Sequence, residues 1–139
     1  MDLQKPGSTQ EWLDARKALL LREKALTRER DELSALRREM PLLQVEESYN
    51  FQSEEGRQTL RQLFGPHRQL IIYHFMFGPD WQEGCPSCSF WADNFDGIDV
   101  HLAARDTAFA CVSNAPLDKL LAYRKRLGWR FKWVSAKDT

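Results

Sequence analysis

Residues 70–88 read LIIYHFMFGPDWQEGCPSC, an apolar run followed by a turn and a pair of cysteines. The run over residues 70–77 is aliphatic and aromatic except for His74, a pattern typical of a strand that is covered on both faces of an α/β sheet. The GPD sequence at residues 78–80 has the turn chemistry that ends such a strand. The residues after Cys88 have helical spacing, so the sequence predicts a central strand, a turn, and a helix that begins at the cysteines.

The sequence on either side of this stretch predicts an alternation of helices and strands. Strand, helix, strand, helix, strand in that order implies right-handed crossovers and a mostly parallel sheet flanked by helices, so the predicted fold class is α/β. Proline opens and glycine closes the later helix, as helix termini prefer. The predicted elements are a short helical turn at 59–64, a helix at 89–104 with a break at Asp96-Gly97, a buried strand at 108–112, a helix from Pro116 to Gly128, and a strand at 131–134.

A change in composition sets the beginning of the chain apart. About half of residues 11–39 are charged and none is glycine or proline, which favours a long helix. Ser8 and Glu11 fit a capping box, so the helix is predicted to begin near Thr9, and Pro41 is predicted to end it.

The predicted helix carries apolar side chains at seven-residue intervals, which places them along one stripe. Arg22 and Glu29 occupy the middle of the companion stripe, so a strict two-stranded coiled coil is not specified. The stripe can dock on the globular part of the same or a second chain, pair two chains as a homodimer, or fit a specific target groove. Residues 1–41 are thus predicted to be a charged amphipathic helix. The stripe consists of Trp12, Leu19, Leu26, Leu33 and Met40.

Charge and composition exclude several classes of protein. The 139 residues contain 20 Lys and Arg and 20 Asp and Glu, so the chain lacks the basic character of a nucleic-acid-binding domain. No apolar run approaches the length of a membrane span, and residues 1–7 do not resemble a secretory signal. Three cysteines are too few for a disulfide framework. We therefore expect a cytoplasmic protein with neither a nucleic-acid nor a membrane partner.

The cysteine pair carries the strongest chemical signal. A helix N-terminus stabilises an anion, so Cys85 is the predicted nucleophile, with Pro86 suited to the first helical position. Cys88 lies one turn on and is predicted to be the less accessible, resolving thiol. Trp81, Pro86 and Ser87 are the candidates for contact with a protein or low-molecular-weight disulfide substrate. Dithiol exchange requires no metal or organic cofactor, so none is expected.

Other interpretations of the same residues stay open. A zinc site would need two ligands besides the cysteine pair, and the remaining candidates form no second close pair. Cys111 is expected to be a buried, inert thiol, and Glu83 to face water. His74 is interpreted as a core residue or as facing the active turn, His101 as stabilising a helix C-terminus, and His67 as a loop residue. The alternative function is a non-catalytic or metal-binding module that associates through its N-terminal helix.

The sequences YHFMFGPDW at 73–81 and GCPSCSFWADNF at 84–95 resemble the thioredoxin-like domain-of-unknown-function 899 family. The likeness covers most of the chain, including HLAARD at 101–106. The resemblance implies a thioredoxin-like fold and a dithiol-disulfide oxidoreductase role.

The chain also differs from related families in its cysteine motif and in the region after residue 135. The proline of Cys-Pro-Ser-Cys is placed as in glutaredoxins, whereas the pattern upstream of the peroxiredoxin cysteine is not reproduced, because Gly78 and Gln82 occupy those positions. Family members continue beyond this chain with a cis-proline and closing strands, while Pro116 here is at a helix start. We therefore expect residues 42–139 to form a shortened thioredoxin-like domain, in which 131–134 is an exposed edge or requires a partner.

Overall fold

The computed structural model describes residues 6–139, and the chain forms two compact units, Met1–Val45 and Glu46–Thr139. Residues 1–5, which enter the prediction that the chain has no secretory signal, lie outside the described residues. Within residues 6–139, no helix combines the length and the apolar character that crossing a membrane requires.

The first unit contains the helix α1 (Thr9–Glu39), which begins at the predicted residue. The capping box is present: the hydroxyl of Ser8 accepts a hydrogen bond from the Glu11 amide at 3.2 Å, and the Glu11 carboxylate accepts one from the Ser8 amide at 2.7 Å. The helix ends at the C-cap Met40, before Pro41, as the sequence predicts. No side chain of α1 is buried.

The second unit is a five-stranded sheet with short helices, in the order β2-β1-β5-β4-β3. Strands β3, β4 and β5 are parallel, whereas β1 is antiparallel to both β2 and β5. The α/β class is therefore confirmed. The elements are β1 (Asn50–Ser53), β2 (Gly56–Thr59), α2 (Leu60–Leu63), β3 (Gln69–His74), α3 (Pro86–Ala92), α4 (Ile98–Ala103), β4 (Thr107–Ser113), α5 (Leu117–Leu127) and β5 (Trp133–Ser135).

Two predictions about the sheet are wrong. Strand β3 is an edge strand and not the central one, and its residues are half-buried or exposed. Strand β5 is not an exposed edge, because β1 pairs with it on the side away from β4, with Gln52 opposite Ser135. The short, polar strand β1 carries no apolar pattern that would have indicated this pairing.

Glycines end or separate the helices where the sequence predicts. Gly97 has φ of 86° and divides α3 from α4, and Gly128 has φ of 77° and closes α5. Both angles lie in the left-handed region, which side chains with a Cβ disfavour. Thr59 caps the short helix α2 through its hydroxyl.

The sheet buries side chains on both faces. One face packs aromatic residues against α3 and α5, where the indoles of Trp129 and Trp133 stack at a centroid separation of 5.7 Å. The other face holds a smaller cluster that includes Phe51, Val112 and Val134. The larger cluster supports the turn of the cysteine pair, because Phe75 and Cys88 both belong to it.

Candidate dithiol site

Cys85 is the N-cap residue of α3, and Pro86 follows at the first helical position, both as predicted. The Cys85 amide donates to the carbonyl oxygen of Met76 at 2.9 Å, which ties the start of the helix back to the segment after β3. The Cys85 side chain is half-exposed and its thiol is free. A substrate sulfur therefore has access to it.

The environment of Cys85 favours its thiolate. The backbone N–H of Cys88 is the largest cause of a lowered Cys85 pKa, and the Cys88 thiol and the Ser87 backbone N–H act in the same direction against the opposing effect of burial. These donors belong to the first turn of α3, whose N–H groups have no partner within the helix. The free N–H groups of the helix thus stabilise the charge on the Cys85 sulfur.

Cys88 is buried and is less accessible than Cys85, as predicted. Its carbonyl oxygen accepts a hydrogen bond of 3.1 Å from the hydroxyl of Tyr73 in β3. Burial and this hydrogen bond raise the pKa of Tyr73, so its hydroxyl keeps its proton and remains a donor. The hydrogen bond fixes the first turn of α3 against the sheet.

Cys111 lies in β4 and is fully buried, as predicted. Burial is the main cause of its raised pKa, with the nearby Cys88 thiol as the second cause. Cys111 is therefore a neutral thiol within the aromatic core and is not positioned for exchange with a solvent-borne disulfide.

Three side chains along one stripe of α5 contact the segment that carries the cysteines. The ammonium group of Lys119 donates to the carbonyl oxygens of Pro79 and Trp81 at 2.6 and 2.8 Å. The guanidinium of Arg126, at the far end of the stripe, lies 2.9 Å from the carboxylate of Glu83.

The middle residue of this stripe, Tyr123, contacts α3 itself. Its hydroxyl shares a hydrogen bond of 2.8 Å with the hydroxyl of Ser89, which donates to the Cys85 carbonyl oxygen at 3.0 Å. These contacts join segments far apart in the sequence, so the local pattern of the helix does not predict them. The spacing of Lys119, Tyr123 and Arg126, which places them on one face, is the signal that could have indicated the stripe.

Two glycines allow close packing around the turn. A Cβ on Gly84 would lie 2.5 Å from the Phe75 ring and 3.0 Å from the Tyr123 ring. A Cβ on Gly78 would lie 2.9 Å from the indole of Trp81. Backbone therefore occupies the space next to the cysteines where a side chain would not fit.

The structure brings the other predicted site residues to the surface around Cys85. Pro86 and Ser87 are exposed in the first turn of α3. Trp81 packs over Gly78 and remains 47% exposed, so it does not fill the core. We call Trp81, Pro86 and Ser87 the rim residues: Pro86 and Ser87 directly follow Cys85, and Trp81 lies in the turn that precedes it.

The histidines do not join the cysteine pair in a cluster. His74 is exposed, so its interpretation as a core residue is wrong. His101 lies in the last turn of α4, as predicted, and His67 lies 3.7 Å from Asp106. Among residues 6–139, no group of at least three His, Cys, Asp or Glu side chains is arranged to hold a metal ion.

An apolar groove of about 720 Å³ runs beside the site without including either cysteine. Ile72 and His74 of β3, Val112 of β4 and the indole of Trp81 contribute to its wall. The lining residues come from segments far apart in the sequence, so no local pattern indicates the groove.

Comparison with known proteins identifies the family and the fold. The family described as "Bacterial protein of unknown function (DUF899)" matches residues 1–139. No curated protein matches the chain.

Solved structures of other proteins are similar to the chain. The PrxQ structure from Xylella fastidiosa, a cysteine-to-serine mutant, is 14% identical over 71% of this chain and 63% of its own, with a TM-score of 0.50. A "putative thiol-disulfide oxidoreductase" from Bacteroides vulgatus is 17% identical over 66% of this chain and 60% of its own, with a TM-score of 0.47. A "putative protein disulfide isomerase" from Bacteroides thetaiotaomicron is 19% identical over 70% of this chain and 58% of its own, with a TM-score of 0.46.

At these identities the likeness shows the fold alone, and the fold is thioredoxin-like. The chain spans about three-fifths of the length of the solved structures it matches.

Proposed function

We propose that the chain, which belongs to the DUF899 family, is a thiol-disulfide oxidoreductase with Cys85 as nucleophile and Cys88 as resolving cysteine. The observation that carries the proposal is the pairing of a half-exposed thiol of lowered pKa with a buried thiol one helical turn away. Thiol-disulfide exchange needs this combination, because the first thiol must attack the substrate disulfide and the second must displace the substrate from the mixed disulfide.

The first step is attack by the Cys85 thiolate on one sulfur of a substrate disulfide. A bond forms between this sulfur and Sγ of Cys85, the substrate S–S bond breaks, and the other substrate sulfur leaves as a thiolate that takes a proton from water. The product is a mixed disulfide between substrate and Cys85. The rim residues Trp81, Pro86 and Ser87 are proposed to contact the substrate chain during this step.

In the second step Cys88 gives its proton to water, and its thiolate attacks Sγ of Cys85, which breaks the bond between Cys85 and the substrate sulfur. The new bond joins Cys85 to Cys88, and the remaining substrate sulfur leaves as a thiolate. The substrate disulfide has then gained two electrons, which the protein dithiol has lost. An external dithiol must reduce the protein before another cycle.

The proximity of the two thiols supports this second step. Cys88 lies in the first turn of α3, three residues after the N-cap Cys85, and its thiol helps to lower the Cys85 pKa. The burial of Cys88 protects it from reacting first with solvent-borne disulfides. The hydrogen bond from Tyr73 to the Cys88 carbonyl keeps the first turn of α3 in the arrangement that the displacement requires.

Catalysed reduction of insulin by dithiothreitol tests the proposal. The wild-type chain should accelerate the reaction, and Cys85→Ser should return the rate to the uncatalysed background. Cys88→Ser should accumulate a mixed disulfide on Cys85, which mass spectrometry detects. Cys111→Ser is the matched control and should keep the wild-type rate. A Cys85→Ser variant that reduces insulin as fast as wild type would overturn the assignment.

A further inference from the structure

The first unit contains no second helix or strand among residues 6–45, so it does not itself cover the apolar stripe of α1. The side chains of Leu26 and Leu33, near the middle of the stripe, are 56% and 47% exposed. A stripe at seven-residue spacing over about four heptads is the pattern of a coiled-coil seam. We therefore expect another surface to cover the apolar stripe.

The charges of the companion stripe indicate which surface covers the apolar stripe. Its outer positions, Ala15 and Leu36, suit a seam, and its inner positions are Arg22 and Glu29. Neither Arg22 nor Glu29 takes part in an ion pair within residues 6–139. The seam therefore carries one positive and one negative charge on opposite sides of the helix centre.

We propose that α1 pairs with α1 of a second copy of this chain in an antiparallel two-stranded coiled coil. In a parallel pair, Arg22 would face the partner's Arg22 and Glu29 would face the partner's Glu29, and like charges at a seam repel. In an antiparallel pair, Arg22 lies near the partner's Glu29. Two-fold symmetry repeats the contact, so both charges of each helix gain a partner.

The length of α1 accommodates this arrangement. When two copies overlap about the middle of Thr9–Glu39, Trp12 pairs with the partner's Leu36 at each end of the seam. Arg22 then packs against the partner's Leu26, between the layer that holds the partner's Glu29 and the layer that holds the partner's Arg22. That spacing of about one helical turn is within reach of two long side chains. Each dimer has two contacts between Arg22 and Glu29 and one between the two Arg22 side chains, so attraction outweighs repulsion. The overlap uses Trp12, Leu19, Leu26 and Leu33 of the stripe, and Met40 lies outside it.

The apolar groove of the second unit and a different protein are the competing occupants of the stripe. The groove is lined mostly by apolar side chains and holds no Asp, Glu, Lys or Arg that could pair with Arg22 or Glu29. A second copy of this chain supplies a negative charge for Arg22 and a positive charge for Glu29. We therefore propose a second copy as the partner of the stripe.

Sedimentation equilibrium of the full chain in reducing buffer tests the pairing and its direction. Wild type should dimerise. Arg22→Glu should weaken the dimer about tenfold, because two attractive contacts become repulsive, and Arg22→Glu combined with Glu29→Arg should restore it. A parallel pair predicts no loss for the single variant. A monomeric wild type, or a double variant no stronger than the single one, would overturn the proposal.

A second pair of variants separates lost pairing from lost folding. Leu26→Asp lies on the seam and should give a monomer, whereas Leu21→Asp, which is 71% exposed and off the seam, should remain dimeric. Circular dichroism at a concentration where wild type is dimeric shows whether each variant keeps its helix. Equal helix content in the two variants would mean that the helix folds alone and that Leu26→Asp loses only the pairing. An equal loss of dimer in both variants would contradict the seam. The Cys85→Ser variant should dimerise like wild type, because the pairing is independent of the redox proposal.

Discussion

Tyr123 in α5 and Ser89 in α3 share a hydrogen bond of 2.8 Å between their hydroxyl oxygens. Because Ser89 also donates to the Cys85 carbonyl oxygen, this contact links a helix on the core face to the residue that caps α3. The Cys85 pKa depends on N–H groups of the same turn. The link therefore connects the packing of α5 to the reactivity of the thiol.

Tyr123→Phe removes this link and keeps the ring. We expect the free energy of unfolding to fall by about 1 kcal/mol, the usual value of one hydrogen bond. The Cys85 pKa should rise, because the first turn of α3 is held less firmly. Urea denaturation and the pH dependence of alkylation measure the two effects. Tyr49→Phe, which removes a hydroxyl away from the dithiol, is the control and should leave the Cys85 pKa unchanged.

Lys119→Met removes the cation that binds the carbonyl oxygens of Pro79 and Trp81. The turn before the cysteines should open more often, so amide hydrogen exchange over residues 78–84 should accelerate about tenfold while the strands keep their protection. Lys125→Met, an exposed lysine of the same helix, is the matched control. Equal exchange in the two variants would show that Lys119 does not hold the turn.

Gly84→Ala introduces a Cβ that would lie 2.5 Å from the Phe75 ring. Overpacking of this kind costs about 1–3 kcal/mol, so the urea midpoint should fall. Ser87→Ala changes an exposed residue three positions later and should alter stability by less than about 0.5 kcal/mol. An unchanged midpoint for Gly84→Ala would mean that the two rings can move apart without cost.

Cys111 should resist alkylation in the folded, reduced protein. It is fully buried and its pKa is raised by burial, so both access and thiolate are lacking. Mass spectrometry after brief treatment with iodoacetamide should find Cys85 modified first and Cys111 modified only in urea. Modification of Cys111 at the rate of Cys85 in the native state would contradict the described core.

The sequence predicted those features that local chemistry determines. The capping box of Ser8 and Glu11 located the start of α1, and the left-handed preference of Gly97 located the break between α3 and α4. Cys85 and Pro86 were predicted at the start of a helix because proline suits that position. Each of these depends on residues within a few positions of one another.

Features that depend on distant pairing were not predicted. The apolar residues of β3 indicated a central strand, but β3 lies at the sheet edge. The pairing of β1 with β5 joins Gln52 to Ser135, two polar residues far apart in sequence. The contacts from α5 to the cysteine segment were missed for the same reason, since they require the tertiary fold.

The pH dependence of Cys85 alkylation tests the central claim most directly. Cys88→Ser and Cys111→Ser isolate the thiol, and the serine at 88 keeps both the backbone N–H and a hydroxyl donor. Because the thiolate is the reactive form, the rate should rise with pH and level off above the Cys85 pKa. We predict that the midpoint of this pH dependence lies below the ordinary thiol pKa of about 8.5. A midpoint at or above that value would mean that α3 does not activate the thiol, and would contradict the proposed oxidoreductase.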